Sequence, residues 1–359
     1  MNMEKKNKMN ICFILPGQQR RPVGGYKIVF EYANRLAREG HNISLLFLNK
    51  TSLQTLRLPN IFKRMMTNVL TQIEPTWFPL DKRVKKISGL SRKLRKKIGN
   101  IDICISTAIT TYSSMDQYFP KTKHAFLIQG YETWMASEDE LVKAYSGNNT
   151  NITVSKWLKS LVDNKSGKMS YLIQNPIDLN AFKSYCQLNS RAPHTISCLY
   201  HSNPCKGASY LMESLQLLKI KYIDLEVYMF GVPNLNKLPN WIHYTKCASQ
   251  AEVIEIYNKT RVFLCTSIEE GYGLTGLEAM ACETCLVSTN YAGALEYAVD
   301  GYNSILAESK NVDSIVACVE KVFDNDVLQK CLTENGKATV QDFSWEKACF
   351  RMLEILDNI

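Results

Sequence analysis

The stretch that decides the fold runs from Arg261 to Leu306 and reads RVFLCTSIEEGYGLTGLEAMACETCLVSTNYAGALEYAVDGYNSIL. The apolar run Val262–Cys265 predicts a buried parallel strand. A glycine-containing loop follows, and apolar positions at helical spacing predict a helix from Leu274 to Ala281. A second apolar run, Cys285–Ser288, precedes a helical turn at Gly293. This order is typical of a doubly wound sheet, in which ligands bind at the carboxyl ends of the strands.

Two carboxylates flank the glycine loop, Glu270 before it and Glu278 in the predicted helix. Eight residues of ideal helix span about 12 Å, a figure that the loop alters. Such a spacing suits the two ends of one extended ligand better than the carboxylate pair of a glycosidase, which is about 5–9.5 Å apart. The N–H groups at the helix start suit an anion. Spacing alone also allows both glutamates to be solvated surface residues.

The residues around these carboxylates resemble the E-x7-E signature of family 4 retaining glycosyltransferases. The matching segments are Glu270-Gly271-Tyr272-Gly273-Leu274, Gly276-Leu277-Glu278-Ala279-Met280-Ala281, and then Gly293, Glu296, Asp300-Gly301 and Asn303. In this stretch the chain departs from the family pattern at four positions. Thr275 stands where a proline is usual, Glu283 and Cys285 replace a glycine and a proline, and Ala292 replaces one glycine of a pair.

Length and composition limit the classes of protein that remain. The 359 residues suffice for two domains, and a hydrophobic content of 45% is ordinary for a globular protein. No apolar run approaches 18 residues, so we expect no transmembrane helix. The charged start and the short apolar segment Ile11–Leu15 predict a first strand and not a signal peptide, with residues 1–9 disordered.

The cysteines and histidines give no sign of a metal centre. Twelve cysteines follow no framework spacing, and the one CxxC, Cys282-x-x-Cys285, lies at a helix-to-strand turn. This pattern predicts mostly buried thiols in a reducing compartment, here the cytoplasm. The five histidines are dispersed. We therefore expect no metal and no cofactor.

The net charge of +9 is concentrated in Lys82–Lys97 (KRVKKISGLSRKLRKK), which has nine basic residues and no acidic one. Ile87, Leu90, Leu94 and Ile98 recur at spacings of three and four, as in an amphipathic basic helix. The run is a solvated surface, a contact with an anionic membrane, or a nucleic-acid site. Nucleic acid is disfavoured because RNA-recognition signatures and basic–aromatic platforms are missing.

The chain opens with a strand–helix–strand unit, predicted as Asn10–Leu15, Tyr26–Glu39 and Ile43–Leu48. The pair Gly24-Gly25 precedes the helix, where a glycine loop is either an anion site or a simple turn. No G-x-G-x-x-G pattern is present, so this is not a dinucleotide fingerprint. Residues 50–100 are poorly periodic. Three more strands are predicted, at Ile101–Ser106, Ala125–Ile128 and Asn151–Val154.

Two further loops follow predicted strands. Gln129, Tyr131 and Glu132 come after a strand that ends at Ile128, and this place suits an acceptor site, with loop packing as the alternative. In the second half, strand Thr195–Tyr200 leads to a second loop and then to a helix. That loop ends in a lysine–glycine pair, which suits phosphate.

This second loop carries the main departure from the family. In the family the matching lysine, here Lys206, binds the donor diphosphate with the help of an arginine five positions earlier. His201 occupies the arginine position. A neutral histidine can donate one hydrogen bond but adds no fixed charge. The alternative for Lys206 is an exposed lysine at a helix start.

The resemblance implies an α/β fold of the GT-B type, with two Rossmann-like doubly wound domains facing across a cleft. We expect an acceptor-binding domain in residues 1–180 and a nucleotide-sugar-binding domain in residues 181–344, with the terminal helix 345–359 packing back on the first. It further implies metal-independent transfer of a hexosyl group from a nucleotide-sugar to an acceptor hydroxyl, with retention at the anomeric carbon.

Roles for individual residues follow from the same resemblance. Lys206 would stabilise the leaving diphosphate, Glu270 would orient the sugar and favour its cationic transition state, and Glu278 would bind the ribose. The other expected donor-binding residues are Gly24, Gly25, His201, Gly271, Tyr272, Gly273, Leu274 and Thr275.

The acceptor is predicted from context. We expect a lipid-linked glycan of bacterial capsule, O-antigen or exopolysaccharide assembly, and a cytoplasmic protein peripheral to the inner membrane face through Lys82–Lys97. Two other enzymes on the same fold stay open, a sugar-nucleotide epimerase and a phosphorylase, although no pattern for the pyridoxal lysine of a phosphorylase is found. A degenerate, non-catalytic partner subunit also stays open because of His201.

Overall fold

The computed structural model describes residues 8–50 and 57–359. The chain divides into two compact units, one of Met1–Gln174 with Cys349–Ile359 and the other of Asn175–Ala348. The predicted disorder of residues 1–9 falls mainly on residues outside the described ranges. Met9 is described, and it is buried with its N–H donating to His41 Nδ1 at 3.2 Å.

The first unit is built on a seven-stranded sheet in the order β3-β2-β1-β4-β5-β6-β7, and every neighbouring pair is parallel. The order reverses between β1 and β4, which makes this sheet doubly wound. Its strands are β1 Asn10–Leu15, β2 Asn42–Phe47, β3 Lys85–Ser88, β4 Ile103–Ser106, β5 Lys123–Ile128, β6 Thr150–Thr153 and β7 Tyr171–Leu172.

Helices of the first unit begin and end where local chemistry satisfies their terminal backbone groups. Ser137 and Ser155 accept backbone N–H groups at two helix starts, and Gly167 ends the second of these helices at φ +67°. The helices are α1 Gly24–Arg38, α2 Asn60–Ile73, α3 Leu94–Ile98, α4 Ile109–Tyr118, α5 Glu138–Ser146 and α6 Lys156–Ser166.

The basic run Lys82–Lys97 is not one amphipathic helix, and that prediction was wrong. Its first half contains the edge strand β3, and only its end is helical, in α3. Ile87, Leu94 and Ile98 are buried in a common core cluster. Their spacing of three and four therefore comes from a strand and a short helix that fill the same core, not from one helical face.

The second unit is built on a six-stranded parallel sheet in the order β10-β9-β8-β11-β12-β13. The order reverses between β8 and β11, so loops after these two strands flank the crevice in which such sheets bind ligands. The strands are β8 Thr195–Tyr200, β9 Glu226–Gly231, β10 Ile242–Lys246, β11 Val262–Cys265, β12 Cys285–Thr289 and β13 Ser304–Ala307.

Apolar side chains fill the space between this sheet and its helices. Leu215 and Leu218 from one helix and Ile315 and Val319 from another pack on the fully buried strands. The helices are α7 Ala208–Lys221, α8 Gln250–Lys259, α9 Leu274–Ala281, α10 Val312–Phe323 and α11 Asp326–Thr339. With two doubly wound parallel sheets, the predicted α/β fold class is confirmed.

The last helix, α12 (Trp345–Asp357), carries the chain from one unit to the other. Its first four residues belong to the second unit, and from Cys349 onward it belongs to the first. Met352, Leu353 and Leu356 are buried along it. Among the described helices, this one included, none has the length and hydropathy needed to cross a bilayer.

Candidate active site at the carboxyl ends of β8 and β11

Two loops meet at the point where the strand order of the second sheet reverses. One follows β8 and the other follows β11, and these strands are direct neighbours. The N–H groups of Ile268 and Glu269 both donate to the Cys205 carbonyl, at 2.7 and 3.2 Å. Asn203 accepts the Cys205 N–H at 3.0 Å and so shapes the turn before α7. The two loops therefore form one connected surface.

An ion pair between Lys206 Nζ and Glu270 Oε1 occupies this surface. Ser267 Oγ donates to the same carboxylate oxygen at 2.9 Å. The Lys206 side chain is 24% exposed and that of Glu270 is 12% exposed, so both charges are largely removed from water but reachable. The interpretation of Glu270 as a solvated loop residue is therefore wrong.

The backbone of Gly207 makes this placement of Lys206 possible. Gly207 has φ +64°, and a Cβ there would lie 2.0 Å from the Thr266 carbonyl oxygen. Thr266 Oγ1 donates back to the Gly207 carbonyl at 3.1 Å. Only glycine accepts both the left-handed conformation and the close approach, so Gly207 locks the two loops together at the start of α7.

Two buried tyrosines contact the glycine loop before α9 at Gly273. A Cβ on Gly273, at φ +85°, would lie 2.0 Å from the Tyr291 hydroxyl. Tyr297 donates its hydroxyl proton to the Gly273 carbonyl. Burial raises the pKa of both tyrosines far above the ordinary value, so both stay neutral. A Cβ on Gly293 would lie 2.6 Å from the Glu270 carbonyl oxygen, which fixes the other end of the loop.

Glu278 lies in α9 with 9% of its surface exposed. The Tyr257 pKa is raised well above its ordinary value, first by burial and then by the charge of Glu278. The alternative of a solvated surface glutamate is therefore wrong for Glu278 as well. A carboxylate on the first helix after the glycine loop can accept hydrogen bonds from the hydroxyls of a polar ligand.

His201 lies beside the ion pair and is held as a neutral ring. Its Nδ1 accepts the Asn203 N–H at 3.0 Å, which leaves the ring proton on Nε2. Burial and the positive charge of Lys206 lower the pKa of His201, and Glu270 opposes them only in part. At neutral pH the histidine can therefore donate one hydrogen bond but carries no charge.

The remaining predicted donor-binding residues are placed as follows. Tyr272 is buried at 4% exposure and packs against Tyr297 and Phe343, so its backbone is the part that can meet a ligand. Leu274 and Thr275 are the first two residues of α9. Gly271 lies in the loop between Glu270 and Tyr272.

In the first unit, Gly24 and Gly25 differ from the prediction because they are the opening residues of α1, not the end of the loop before it. A Cβ on Gly25 would lie 3.3 Å from the Gln129 side-chain amide, whereas nothing lies near Gly24. The structure thus brings Gly25 and Gln129 together. That they share a donor site with the second unit stays a prediction.

Packing accounts for the other two acceptor-side candidates. Glu132 Oε2 accepts the Ile109 N–H at 2.6 Å and so caps α4, while burial raises the Glu132 pKa. The Lys165 ammonium lies 5.5 Å from the centre of the Tyr131 ring. Their role toward an acceptor stays a prediction.

Sequence reasoning missed the residues that support the site. Ser267 could have been found, because a hydroxyl three residues before Glu270 and directly after a strand suits a carboxylate partner. The contacts of Tyr291 and Tyr297 with Gly273 could not be predicted from residue spacing. They depend on how the loop after β12 packs on the loop after β11. Within residues 8–50 and 57–359, no group of three or more metal-ligating side chains is placed to hold a metal ion.

Comparison with known proteins bears on this part of the chain. Residues 193–339 match the family model of glycosyl transferases group 1. That range contains Lys206, Glu270 and Glu278, and the family model therefore supports a glycosyltransferase.

Two relatives point the same way. An uncharacterized glycosyltransferase of Methanocaldococcus jannaschii is 26% identical over 218 residues, which cover 58% of this chain and 59% of the relative. The capsular polysaccharide biosynthesis glycosyltransferase CapM of Staphylococcus aureus is 27% identical over 162 residues, 43% of each chain. The alignments thus span less than two thirds of these relatives.

The fold is shared with a solved structure over nearly the whole chain. HepE from Anabaena, in complex with UDP-glucose, superposes with a TM-score of 0.76 at 15% identity, covering 98% of this chain and 100% of HepE. At that identity the likeness concerns the fold alone. The predicted GT-B type of fold is confirmed.

Proposed function

We propose that this protein is a retaining glycosyltransferase that moves a hexosyl group from a nucleotide-sugar to an acceptor hydroxyl. One observation carries the proposal, the ion pair of Lys206 and Glu270 where the strand order reverses. It lies inside the range that matches the group 1 family model.

The leaving nucleoside diphosphate needs positive charge and N–H donors. Lys206 supplies the charge, His201 Nε2 supplies a neutral donor, and the first N–H groups of α7 and α9 point toward the carboxyl edge of the sheet. In this proposal these groups carry the charge of the departing diphosphate without a metal. Glu278, buried on α9, binds the ribose hydroxyls.

The sugar ring needs a group that tolerates positive charge at its anomeric carbon. Glu270 meets this need because its second carboxylate oxygen can accept hydrogen bonds from sugar hydroxyls while its charge favours an oxocarbenium-like transition state. Lys206 and Ser267 already hold the first oxygen. No side chain of the described site, Glu270 included, is proposed as a nucleophile, which suits front-face transfer with retention.

The acceptor in this proposal is a lipid-linked glycan of bacterial surface polysaccharide assembly, bound at the cytoplasmic face of the membrane. Its support is the capsular polysaccharide function named for the Staphylococcus aureus relative. The donor would be a nucleotide-sugar such as the UDP-glucose bound to HepE. The basic run Lys82–Lys97 would lie near the anionic surface.

A second candidate is a non-catalytic partner subunit, favoured by the neutral His201 where the family has a charged arginine. An epimerase on the same fold is the third, and analysis of the sugar product separates it from a transferase.

Calorimetric titration with UDP, GDP, dTDP and ADP and their common sugars tests the proposal. We expect one nucleotide class to bind the wild type and to lose at least about tenfold in affinity with Lys206→Ala, since hydrogen bonds to charged groups contribute about 1.5–3 kcal/mol. Lys221→Ala, in α7 but outside the site, is the matched control. Folded wild-type protein that binds no nucleotide would favour the partner subunit.

A further inference from the structure

Helix α2 (Asn60–Ile73) presents large apolar residues to solvent and buries three polar ones. Lys63, Thr67 and Thr71 are all less than 9% exposed. By contrast, large apolar side chains of the same helix are 37–61% exposed. These are Ile61, Phe62, Met65, Met66, Val69 and Ile73. An ordinary surface helix has the opposite arrangement.

The exposed apolar residues form one continuous surface. At 100° per residue, the six positions fall within an arc of about 140° along a helix about 21 Å long. The buried Lys63, Thr67 and Thr71 lie on the opposite side of the wheel. Leu58, just before the helix, extends the apolar surface at 47% exposure. The set is too large and too ordered to count as scattered surface residues.

Polar contacts fix this orientation. The Gln18 side-chain amide donates to the Thr67 carbonyl at 3.3 Å and also bonds to the Thr71 hydroxyl. Directly after Thr71, Gln72 donates its amide to the Lys86 carbonyl at 3.1 Å, and Lys86 Nζ donates to the Glu74 carbonyl at 2.8 Å. The helix cannot turn its apolar face inward without losing these bonds.

We propose that the apolar face of α2 docks into the interfacial layer of an anionic membrane. The charge around it selects this partner. Besides the buried Lys63, residues 57–73 contain Arg57 and Arg64 and no acidic residue. The helix packs against β3, which in turn contacts α3, so the basic run is its direct neighbour. Apolar insertion beside clustered cations is the combination that binds anionic bilayers.

A second copy of this chain is a poorer occupant of the surface. A symmetric dimer through α2 would place the same patch of each protomer face to face. Each copy would also bring the basic run that neighbours α2, with its exposed Arg95, Lys96 and Lys97, and no acidic residue of the 57–73 stretch could pair with that run.

This inference deepens the proposed function, because a lipid-linked acceptor would be presented at such a surface. Its evidence is nevertheless separate, since it depends on α2 and not on Lys206 or Glu270. Binding to vesicles and binding to a nucleotide are measured independently, and each proposal can fail alone.

Co-sedimentation of the purified full chain with vesicles tests the docking. We expect binding to phosphatidylcholine vesicles that contain phosphatidylglycerol and much weaker binding to phosphatidylcholine alone. The double variant Met65→Ser/Val69→Ser should bind at least about tenfold more weakly, because it removes more than two methylene equivalents from the inserted face. Ile220→Ser/Val327→Ser, which removes two still more exposed apolar residues from the second unit, should bind like the wild type.

The charge contribution is tested by replacing Lys93, Arg95, Lys96 and Lys97 with glutamine. Binding to the anionic vesicles should fall and should lose most of its dependence on salt. Thermal melting confirms that each variant is folded. The proposal is overturned if the wild type does not bind anionic vesicles, or if Met65→Ser/Val69→Ser binds them with the same affinity as the wild type. A wild-type dimer that the same variant dissociates, without vesicle binding, would assign the surface to a second copy.

Discussion

Lys206 Nζ and Glu270 Oε1 form an ion pair although the two residues are 64 positions apart in the chain. The pair exists because β8 and β11 are neighbours at the point where the strand order reverses, so that the loops after them meet. The glutamate holds the lysine at the site before any anion arrives. In the proposed function, a diphosphate would therefore share Lys206 with Glu270.

This sharing predicts opposite effects of two substitutions. Lys206→Ala should weaken the binding of a nucleoside diphosphate by about 10- to 150-fold. Glu270→Gln should leave that affinity unchanged or raise it, because the lysine loses a competing partner, while sugar transfer is lost. Calorimetry with the diphosphate and a product assay with the nucleotide-sugar measure the two effects. A loss of diphosphate affinity in Glu270→Gln would contradict this account of the pair.

His201 predicts a pH dependence of stability. Its pKa in the folded protein is below the ordinary value of 6.5, so the unfolded state binds more protons between the two values. The contribution of the neutral ring to the free energy of unfolding is complete above pH 6.5 and is lost as pH falls through the lowered pKa.

The measurement is denaturant unfolding of wild type and His201→Asn across pH 5 to 7.5. The wild type should lose more stability than the variant toward the acid end, since only the wild type carries this histidine. A difference between the two proteins that stays constant with pH would show that His201 does not titrate as described.

We expect Gly207→Ala to lower the free energy of unfolding by more than backbone strain alone would. Gly207→Ala meets both φ +64° and the Thr266 carbonyl at 2.0 Å, whereas Gly167→Ala meets φ +67° with nothing within 4 Å. The control should cost about 1–2 kcal/mol and Gly207→Ala clearly more. Thermal unfolding of both variants compares the costs. If the two variants were equally destabilised, the close contact of Gly207 with the Thr266 carbonyl would add no cost to the left-handed conformation.

At position 283 the backbone conformation favours glycine over alanine. Glu283 has φ +55°, and its N–H and that of Thr284 donate to the Met280 and Ala279 carbonyls at 3.0 and 2.9 Å. This is the Schellman arrangement that favours glycine at the first residue past the helix cap. Glu283→Gly should be about 1 kcal/mol more stable than Glu283→Ala.

Both Glu283 variants lose the ion pair with Lys337, so their difference isolates the backbone. Chemical denaturation measures it. If the alanine variant were as stable as the glycine variant, the left-handed conformation would carry no cost at this position.

The sequence predicted the alternating strands and helices well because their apolar runs are short and bounded by glycines. Strands Asn10–Leu15, Thr195–Tyr200 and Val262–Cys265 coincide with their predicted limits. It also placed Lys206 and Glu270 in the same kind of loop. What linked them into a pair was the strand order, which no local pattern contains.

The failures have a physical cause as well. Residues 50–100 were described as poorly periodic, so α2 was missed, although its exposed apolar residues recur at helical spacing. In Lys82–Lys97, two elements of different type shared one core and mimicked a helical repeat. In both stretches the local spacing of apolar residues does not show which elements pack against them.

The division of α12 at Cys349 affects the order in which the protein can mature during synthesis. The second unit is continuous from Asn175 to Ala348 and has all of its residues before the last helix is complete. The first unit must wait for Cys349–Ile359, whose Leu353 and Leu356 are buried. The first unit is therefore synthesised first but completed last. The surface that its final helix covers stays exposed until Cys349–Ile359 have been made.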